Sequence, residues 1–417
     1  MNGEQPDRKE SGFKNKTRVG EARERLLDAV APHDRTETVA LGSADGRVLA
    51  EEVVAARNVP HYPKAAMDGY AVRAEDTFGA SDRSPEVLRN PGGPEKADVP
   101  DEVPPNAAVR VHTGSELPEG ADAVVMIEQT DEFGSEVEIF DAVAAGENVA
   151  PVGEDVESGQ RLYDSGHRLR PSDLGLLKSV GVDTVEVRER PTVGVIPTGE
   201  ELVQSDPGPG EVVETNGLTV SRYVERWGGE ATYRDVVTDD PDALRAAIQR
   251  DLTKDVVVTT GGSSVGERDL LPDVVSDLGE ILFHGVALKP GHPVAVGVVE
   301  ETPVVMLPGY PVACIVNAVQ FLRPALKRVG GLPEQGFPTT EARLDRKIRS
   351  EPGIRTFARV QLEDGENGER TATPTRASGS GVLSSVALAD GWVEVPEGRE
   401  GIPEGEPVSV QDWEWSA

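Results

Sequence analysis

The chain has 417 residues, of which 37% are apolar and 4% aromatic, with 45 glycines and 32 prolines. That is length for two to four domains and a turn-rich globular composition, which excludes a fibre, a coiled coil and a low-complexity chain. Its 42 Lys and Arg stand against 74 Asp and Glu, a formal net charge of −32 spread along the whole chain, which argues against nucleic acid and anionic membrane as partners.

The positive residues are mostly arginine, with few lysines. Such an acidic balance suits a salt-rich cytoplasm, because the Debye length falls to about 3 Å at molar salt and like charges are screened. Cys314 is the only cysteine, so neither an internal disulfide nor a cysteine metal cluster is expected.

Residues 1–18 read as a disordered polar tail without the apolar core of a signal peptide. The segment 19–30 has helical spacing, with Val19, Ala22, Leu26, Leu27 and Val30 on one face and Pro32 ending it. Short apolar runs follow at 48–54, 70–72, 107–128, 137–139 and 149–156, so this part is β-rich. Between them, 80–106 is rich in Pro, Gly, Ser and acids.

From Pro191 strands and helices alternate. Strands are expected at 193–196, 232–237, 255–260, 294–299 and 303–307, and helices at 218–227, 241–250, 270–278 and 312–329. This pattern implies parallel βαβ units and a three-layer α/β domain. The uncharged run 302–322 is broken by Pro303, Pro308, Gly309 and Pro311, so it reads as strand, turn and helix rather than a membrane span. After Gly330-Gly331 come short strands at 357–362, 371–375, 392–395 and 407–410, the pattern of a small β-barrel or sandwich.

Ligands of open parallel sheets bind beyond the carboxyl ends of the strands. At 196–202 (IPTGEEL) acids directly follow an apolar strand, which a helix N-terminus would also favour. At 259–269 (TTGGSSVGERD) paired glycines, two hydroxyls and a helix start could meet an oxyanion through backbone amides, although a tight turn has the same composition. The loop is neither a Walker sequence nor GxGxxG. At 307–312 (LPGYPV) two prolines stiffen the approach to a helix. Lys289 stands beside a Pro-Gly turn in 284–293 (HGVALKPGHP). Glu201, Asp239 and Asp269 follow three successive strands. Each alone could be solvated or capping, but together beside an anion loop they suit Mg2+, which takes a few carboxylates plus substrate phosphates.

These segments, with AMDGYA (66–71), RVHTG (110–114), LPEGADAVV (117–125), GED (153–155), Thr215-Asn216 and GSGVLSS (379–385), resemble the molybdopterin molybdenumtransferases, the MoeA-type synthases related to the C-terminal part of gephyrin. The resemblance spans about 20–415. It implies an elongated, cytoplasmic homodimer with four domains: an N-terminal domain of 19–60 with 149–185, a β-rich second domain of 61–148, a molybdopterin-binding α/β domain of 186–331 and a C-terminal β-barrel of 334–417. The cleft would lie between the α/β domain of one subunit and a β-rich domain of the other.

The implied reaction inserts molybdenum from molybdate into adenylylated molybdopterin, with Mg2+ assisting release of AMP. The resemblance assigns catalytic parts to Asp68, Thr113, Glu201, Asp239 and Asp269, the last three also holding the cation. Phosphate would meet the amides of Gly261 and Gly262 and the hydroxyl of Ser264. Lys289 would meet an anionic oxygen, and Pro308 and Pro311 would fix the loop near the metalate. Asp155, Thr198, Gly199, Asn216, Gly266 and Gly309 complete the substrate contacts, and Cys314 reads as core.

Where family members often carry arginines this chain reads NVAPV (148–152), and Gly285 and His292 stand at family lysine positions. Arg268, His284 and His292, or bound cations, are therefore expected to supply the missing charge. A molybdopterin adenylyltransferase and a gephyrin-like scaffold are the alternative functions. Molybdate and tungstate share size and charge, so the residues do not separate them.

Overall fold

The computed structural model describes residues 16–92, 101–262, 270–365, 368–375 and 380–415. Internal contacts divide the chain into two units. Of the described residues, one comprises 16–37, 46–48 and those from 188 onward; the other comprises 38–45 and those within 49–187.

The first unit is built on a six-stranded sheet. Its strands are β1 (Thr192–Pro197), β2 (Glu230–Tyr233), β3 (Val256–Thr260), β4 (Glu280–His284), β6 (Ala295–Val299) and β7 (Thr302–Leu307), in the order β2-β1-β3-β7-β6-β4. A short strand β5 (Leu288–Lys289) leaves this sheet and pairs elsewhere. Strands β2, β1, β3 and β7 are parallel, whereas β6 and β4 run as antiparallel additions.

Side chains alternate between the two faces, as strand geometry requires. Val193, Val195, Val256, Val258, Val305 and Leu307 meet α2 (Asn216–Arg226) and α5 (Pro311–Asn317) in one core. Ile196, Val257, Val304 and Met306 meet α3 (Pro241–Asp251) and α4 (Leu271–Leu278) in the other. The three layers are thus present, and burial on both faces explains the nearly continuous apolar runs of the central strands.

Three expectations shift. The helix α1 (Val19–Asp28), which the resemblance would give to an N-terminal domain with 149–185, buries Val19, Ala22 and Leu26 beside Phe283, Phe321 and Leu322 of the α/β core. The expected tail stops short of 18, because Thr17 is already paired with Val286. The single helix expected over 312–329 is α5, a π-helical turn (Ala318–Leu322) and α6 (Arg323–Val329). Pro324 explains the break, since it cannot donate the hydrogen bond that would continue a regular helix.

The C-terminal strands β8 (Thr339–Leu344), β9 (Arg355–Asp364), β10 (Arg370–Pro374), β11 (Gly391–Val395) and β12 (Pro407–Gln411) pair in the order β9-β10-β8-β12-β11. A further β9–β11 pairing closes a five-stranded barrel, and β5 adds to its β9 edge. Leu344, Val360, Ala372, Val393, Val408 and Val410 fill it. Trp392 stacks on Trp413 with ring centres 4.6 Å apart, and both join the α/β core, so barrel and sheet share packing.

The second unit is β-rich. Gly69–Val72 lies between Ala108–Val111 and Ala123–Met126, and Glu136–Ile139 lies between Glu86–Arg89 and Thr130–Phe133, all antiparallel. The helix Pro171–Ser179 starts at a buried Asp173. Among the described residues no helix is long and apolar enough to cross a membrane.

Candidate functional site

The chain leaves β1 toward β2 on one side, while β3 lies on the other, so the carboxyl ends of β1 and β3 form the switch point where such sheets open a ligand crevice. The loops there are knitted together. The Gly199 amide donates to the Val237 carbonyl (3.1 Å), and the Gly261 amide to the Leu307 carbonyl (3.0 Å). The Asn216 side chain, at the start of α2, donates to the Gly309 carbonyl at 2.6 Å. A Cβ on Gly309 would stand 3.5 Å from the Gly261 Cα. Thr198, Gly199, Asn216, Gly261, Gly262 and Gly309 are therefore brought to one place, flanked by Pro308 and Pro311.

One assignment changes. The Gly261 amide is committed to Leu307 and is not available to phosphate. The role of Gly261 is steric: its φ of +131° carries the chain past the Thr198 carbonyl oxygen, where any Cβ would collide. The Gly262 amide donates to no acceptor among the described residues. The Thr198 hydroxyl lies below this turn, buried and without a hydrogen-bond partner among the described residues.

Glu201 folds back on Gly199, its carboxylate 2.9 Å from where a Cβ would stand. Asp239 comes two residues after Val237, which pairs with Thr198 at the same edge. Ser264, Gly266, Arg268 and Asp269 lie outside the described residues, and among those described no group of three His, Cys, Asp or Glu could hold a metal.

Glu214 was not singled out by sequence reasoning. It is buried, accepts from the Gly217 amide at 2.6 Å and from the Tyr233 hydroxyl, and so fixes the α2 N-terminus that presents Asn216. Burial, then Glu214, pushes the Tyr233 hydroxyl up to about 12. Its only sequence signal is its place directly before Thr215-Asn216. Cys314 is buried, and burial pushes its thiol far up, which bears out its reading as core.

A cavity of about 780 Å³ lies where β5 meets the barrel. Its lining includes Lys16, Lys289, His292, Lys347, Arg349 and Arg359, with Glu351 as the one acid. Lys289 pairs with Glu351 at 3.1 Å. Asn317, at the last turn before the π-helical segment, donates to the carbonyls of Gly291 (2.9 Å) and Ala313 (2.8 Å) and so clamps the Lys-Pro-Gly turn. Burial, then the charges of Lys16 and Lys289, hold the His292 imidazole below its ordinary value. The cavity reaches the loop after β7. Ser380 lines it and accepts from the Val312 amide (2.9 Å), and Gly381 stands against Tyr310, its Cβ position 3.3 Å from the ring.

In the second unit Asp68 and Thr113 meet directly. The Thr113 amide and hydroxyl both donate to Asp68 Oδ1, at 2.7 and 2.9 Å, and this, the amide first, holds the carboxyl below the usual carboxylate range. Asp155 sits on a separate turn of that unit, its amide bonded to the Val59 carbonyl at 3.0 Å.

The α/β sheet gathers its loops at the switch point, where sheets of this kind bind ligands, and a cation-rich cavity lies where β5 meets the barrel. Three family descriptions match in order: "MoeA N-terminal region (domain I and II)" over 17–181, "Probable molybdopterin binding domain" over 194–328 and "MoeA C-terminal region (domain IV)" over 341–413. A putative molybdopterin biosynthesis protein of Methanocaldococcus jannaschii is 35% identical, covering 93% of this chain and 94% of its own length. The molybdopterin molybdenumtransferase of Bacillus subtilis is 34% identical over 91% and 92%. The crystal structure of a molybdopterin biosynthesis MoeA protein from Pyrococcus horikoshii superposes with a TM-score of 0.77 at 33% identity, covering 95% of this chain and all of that one. The chain belongs to the MoeA family, and its role lies in molybdenum cofactor biosynthesis.

Proposed function

We propose that this protein is a molybdopterin molybdenumtransferase: it takes molybdenum from molybdate into adenylylated molybdopterin and releases AMP. The observation that carries the reading is the junction at Ser380 and Gly381, which joins a cavity rich in cations to a glycine-lined sheet edge. The edge offers the Gly262 amide and the Thr198 hydroxyl to the phosphates of the adduct. The cavity offers Lys289, Lys347, Arg349 and Arg359 to the molybdate dianion. In a chain of net charge −32, such a cluster is where an oxyanion would settle.

Glu201 and Asp239, following neighbouring strands, and the buried Thr198 hydroxyl are hard oxygen donors of the kind Mg2+ takes. Asp269, expected from the sequence, would be the third carboxylate around the ion. When bound, Mg2+ would neutralise charge on the phosphates and on departing AMP. Asn216 holds the Gly309 loop beside the adduct. Asp68, kept ionised by Thr113, is assigned to orienting the reacting groups. The sulfurs of the pterin bind molybdenum as water leaves, and a second water opens the phosphoanhydride. The homodimer and the cytoplasmic setting belong to the same reading.

Crystals soaked with AMP, Mg2+ and molybdate test it. AMP phosphate beside Gly262 and Thr198, with a molybdenum anomalous peak in the Lys289–Arg359 cavity, would bear it out. Nucleotide and metalate bound elsewhere would refute it.

A further inference from the structure

We propose that Lys16, on the arm ahead of α1, is an oxyanion-binding residue of the basic cavity. The proposal rests on the reading of that cavity as the place of a tetrahedral dianion, and it adds a residue that no sequence motif or family description singles out.

The arm is held by backbone hydrogen bonds. The Thr17 amide donates to the Gly285 carbonyl at 3.0 Å, and the Ala287 amide donates to the Thr17 carbonyl at 2.8 Å. Two residues later Val19 is already buried in the core, followed by Ala22 and Leu26. The backbone of Lys16 is thus held on the segment that leads into Leu288 and Lys289, although about 270 residues separate the two in sequence. Backbone held at this precision pre-organises a side chain and lowers the entropy lost when a ligand binds.

The charge pattern points the same way. The chain has only ten lysines, and three of them, Lys16, Lys289 and Lys347, line this one cavity. Lys289 is partnered by Glu351, whereas Lys16 makes no ion pair among the described residues. Cations gathered around a shared space repel one another unless an anion enters. Gly285 and His292 occupy the positions where a lysine was expected from the resemblance, and burial, then Lys16 and Lys289, hold the His292 imidazole below its ordinary value. Lys16 supplies from the N-terminal arm the charge those two positions lack. The ligand class is a compact tetrahedral dianion such as molybdate, tungstate or sulfate, bound by point charges rather than by a shaped pocket.

The test is calorimetric titration of the full-length protein with molybdate at low ionic strength, with sulfate as competitor. The proteins are wild type, Lys16→Gln, Lys16→Arg and Arg359→Ala. The expected result is about tenfold weaker molybdate binding by Lys16→Gln, recovery to within about twofold by Lys16→Arg, and an unchanged melting temperature. If Lys16→Gln binds like wild type while Arg359→Ala loses binding, the cavity keeps its role and the proposal for Lys16 is overturned. If wild type binds neither oxyanion, or Arg359→Ala binds as well as wild type, the oxyanion reading of the cavity fails and takes the proposal with it.

Discussion

The carbonyl oxygen of Thr198 occupies the space that a Cβ on Gly261 would need. The two residues end neighbouring parallel strands at the switch point, and this close approach lets the loops after β1 and β3 share one crevice. Gly261→Ala should therefore cost about 2 kcal/mol or more, because a φ of +131° and backbone overlap are both forbidden to alanine. Gly262→Ala should cost about 1 kcal/mol, since its φ of +61° is the milder left-handed region and its neighbour, the Leu271 side chain, can shift. Urea unfolding of both variants checks the order.

Thr198→Ala separates binding from folding. Its hydroxyl has no partner among the described residues, so the variant loses a buried methyl group but no hydrogen bond among them. Stability should fall by about 1 kcal/mol, while affinity for AMP should fall about tenfold. Thr198→Ser should retain it. Equal AMP affinity in all three proteins would remove Thr198 from the site.

The Asp68–Thr113 pair gives a pH signature. The amide and hydroxyl of Thr113 lower the Asp68 pKa, so the carboxylate persists to lower pH than usual. If the ionised form is required, the acid limb of kcat/KM lies below the ordinary carboxylate range. Thr113→Val removes one of the two donors and should move that limb upward. A limb that does not move would detach the pair from the reaction.

Acid stability of the second unit should depend on Asp173. Burial pushes its carboxyl upward, but donors from Arg170, His167 and Tyr163 outweigh burial and hold it well below the usual range. A depressed folded pKa means stability that is present above the unfolded value of about 4 and lost as pH falls toward the folded value. Asp173→Asn should cost about 2 kcal/mol near neutrality and should flatten the loss of stability below about pH 5. Melting temperatures from neutral pH to about pH 3 measure both effects.

The net charge of −32 makes salt a stabiliser. Raising KCl from about 0.1 to about 1 M shrinks the screening length from roughly 10 Å to roughly 3 Å. The melting temperature should rise across that range. A fall would contradict the salt-adapted reading of the acidic composition.

What the sequence makes legible follows from how local its causes are. Strands β1, β3 and β7 declare themselves as apolar runs, and α3 by Asp240 and Pro241, where the Asp240 side chain accepts from the Asp242 and Ala243 amides. The strand Glu280–His284 follows Gly279 with little turn signal and escapes notice. Its pairing depends on Gly279 lying against the Val298 carbonyl, a contact with no local signature. Strand β8 is hidden because TTEARL reads as polar until its inward residues, Ala342 and Leu344, are seen. The loops carrying Thr198, Gly261 and Gly309 are legible because they follow strand ends that the sheet topology brings together, whereas Asn216 is named only through the family resemblance. Lys16 and Glu214 are not legible, since one is carried to its place by the bridge of its neighbour Thr17 to Val286 and the other is fixed by accepting from the Tyr233 hydroxyl.

The most direct measurement of the central claim is single-turnover release of AMP from purified adenylylated molybdopterin by the full-length protein. The account predicts about one AMP per chain, with Mg2+ and molybdate both required and the rate lowered about a hundredfold or more in Asp68→Asn. An adduct that stays intact with both ions present, or AMP release that is indifferent to molybdate, would contradict it.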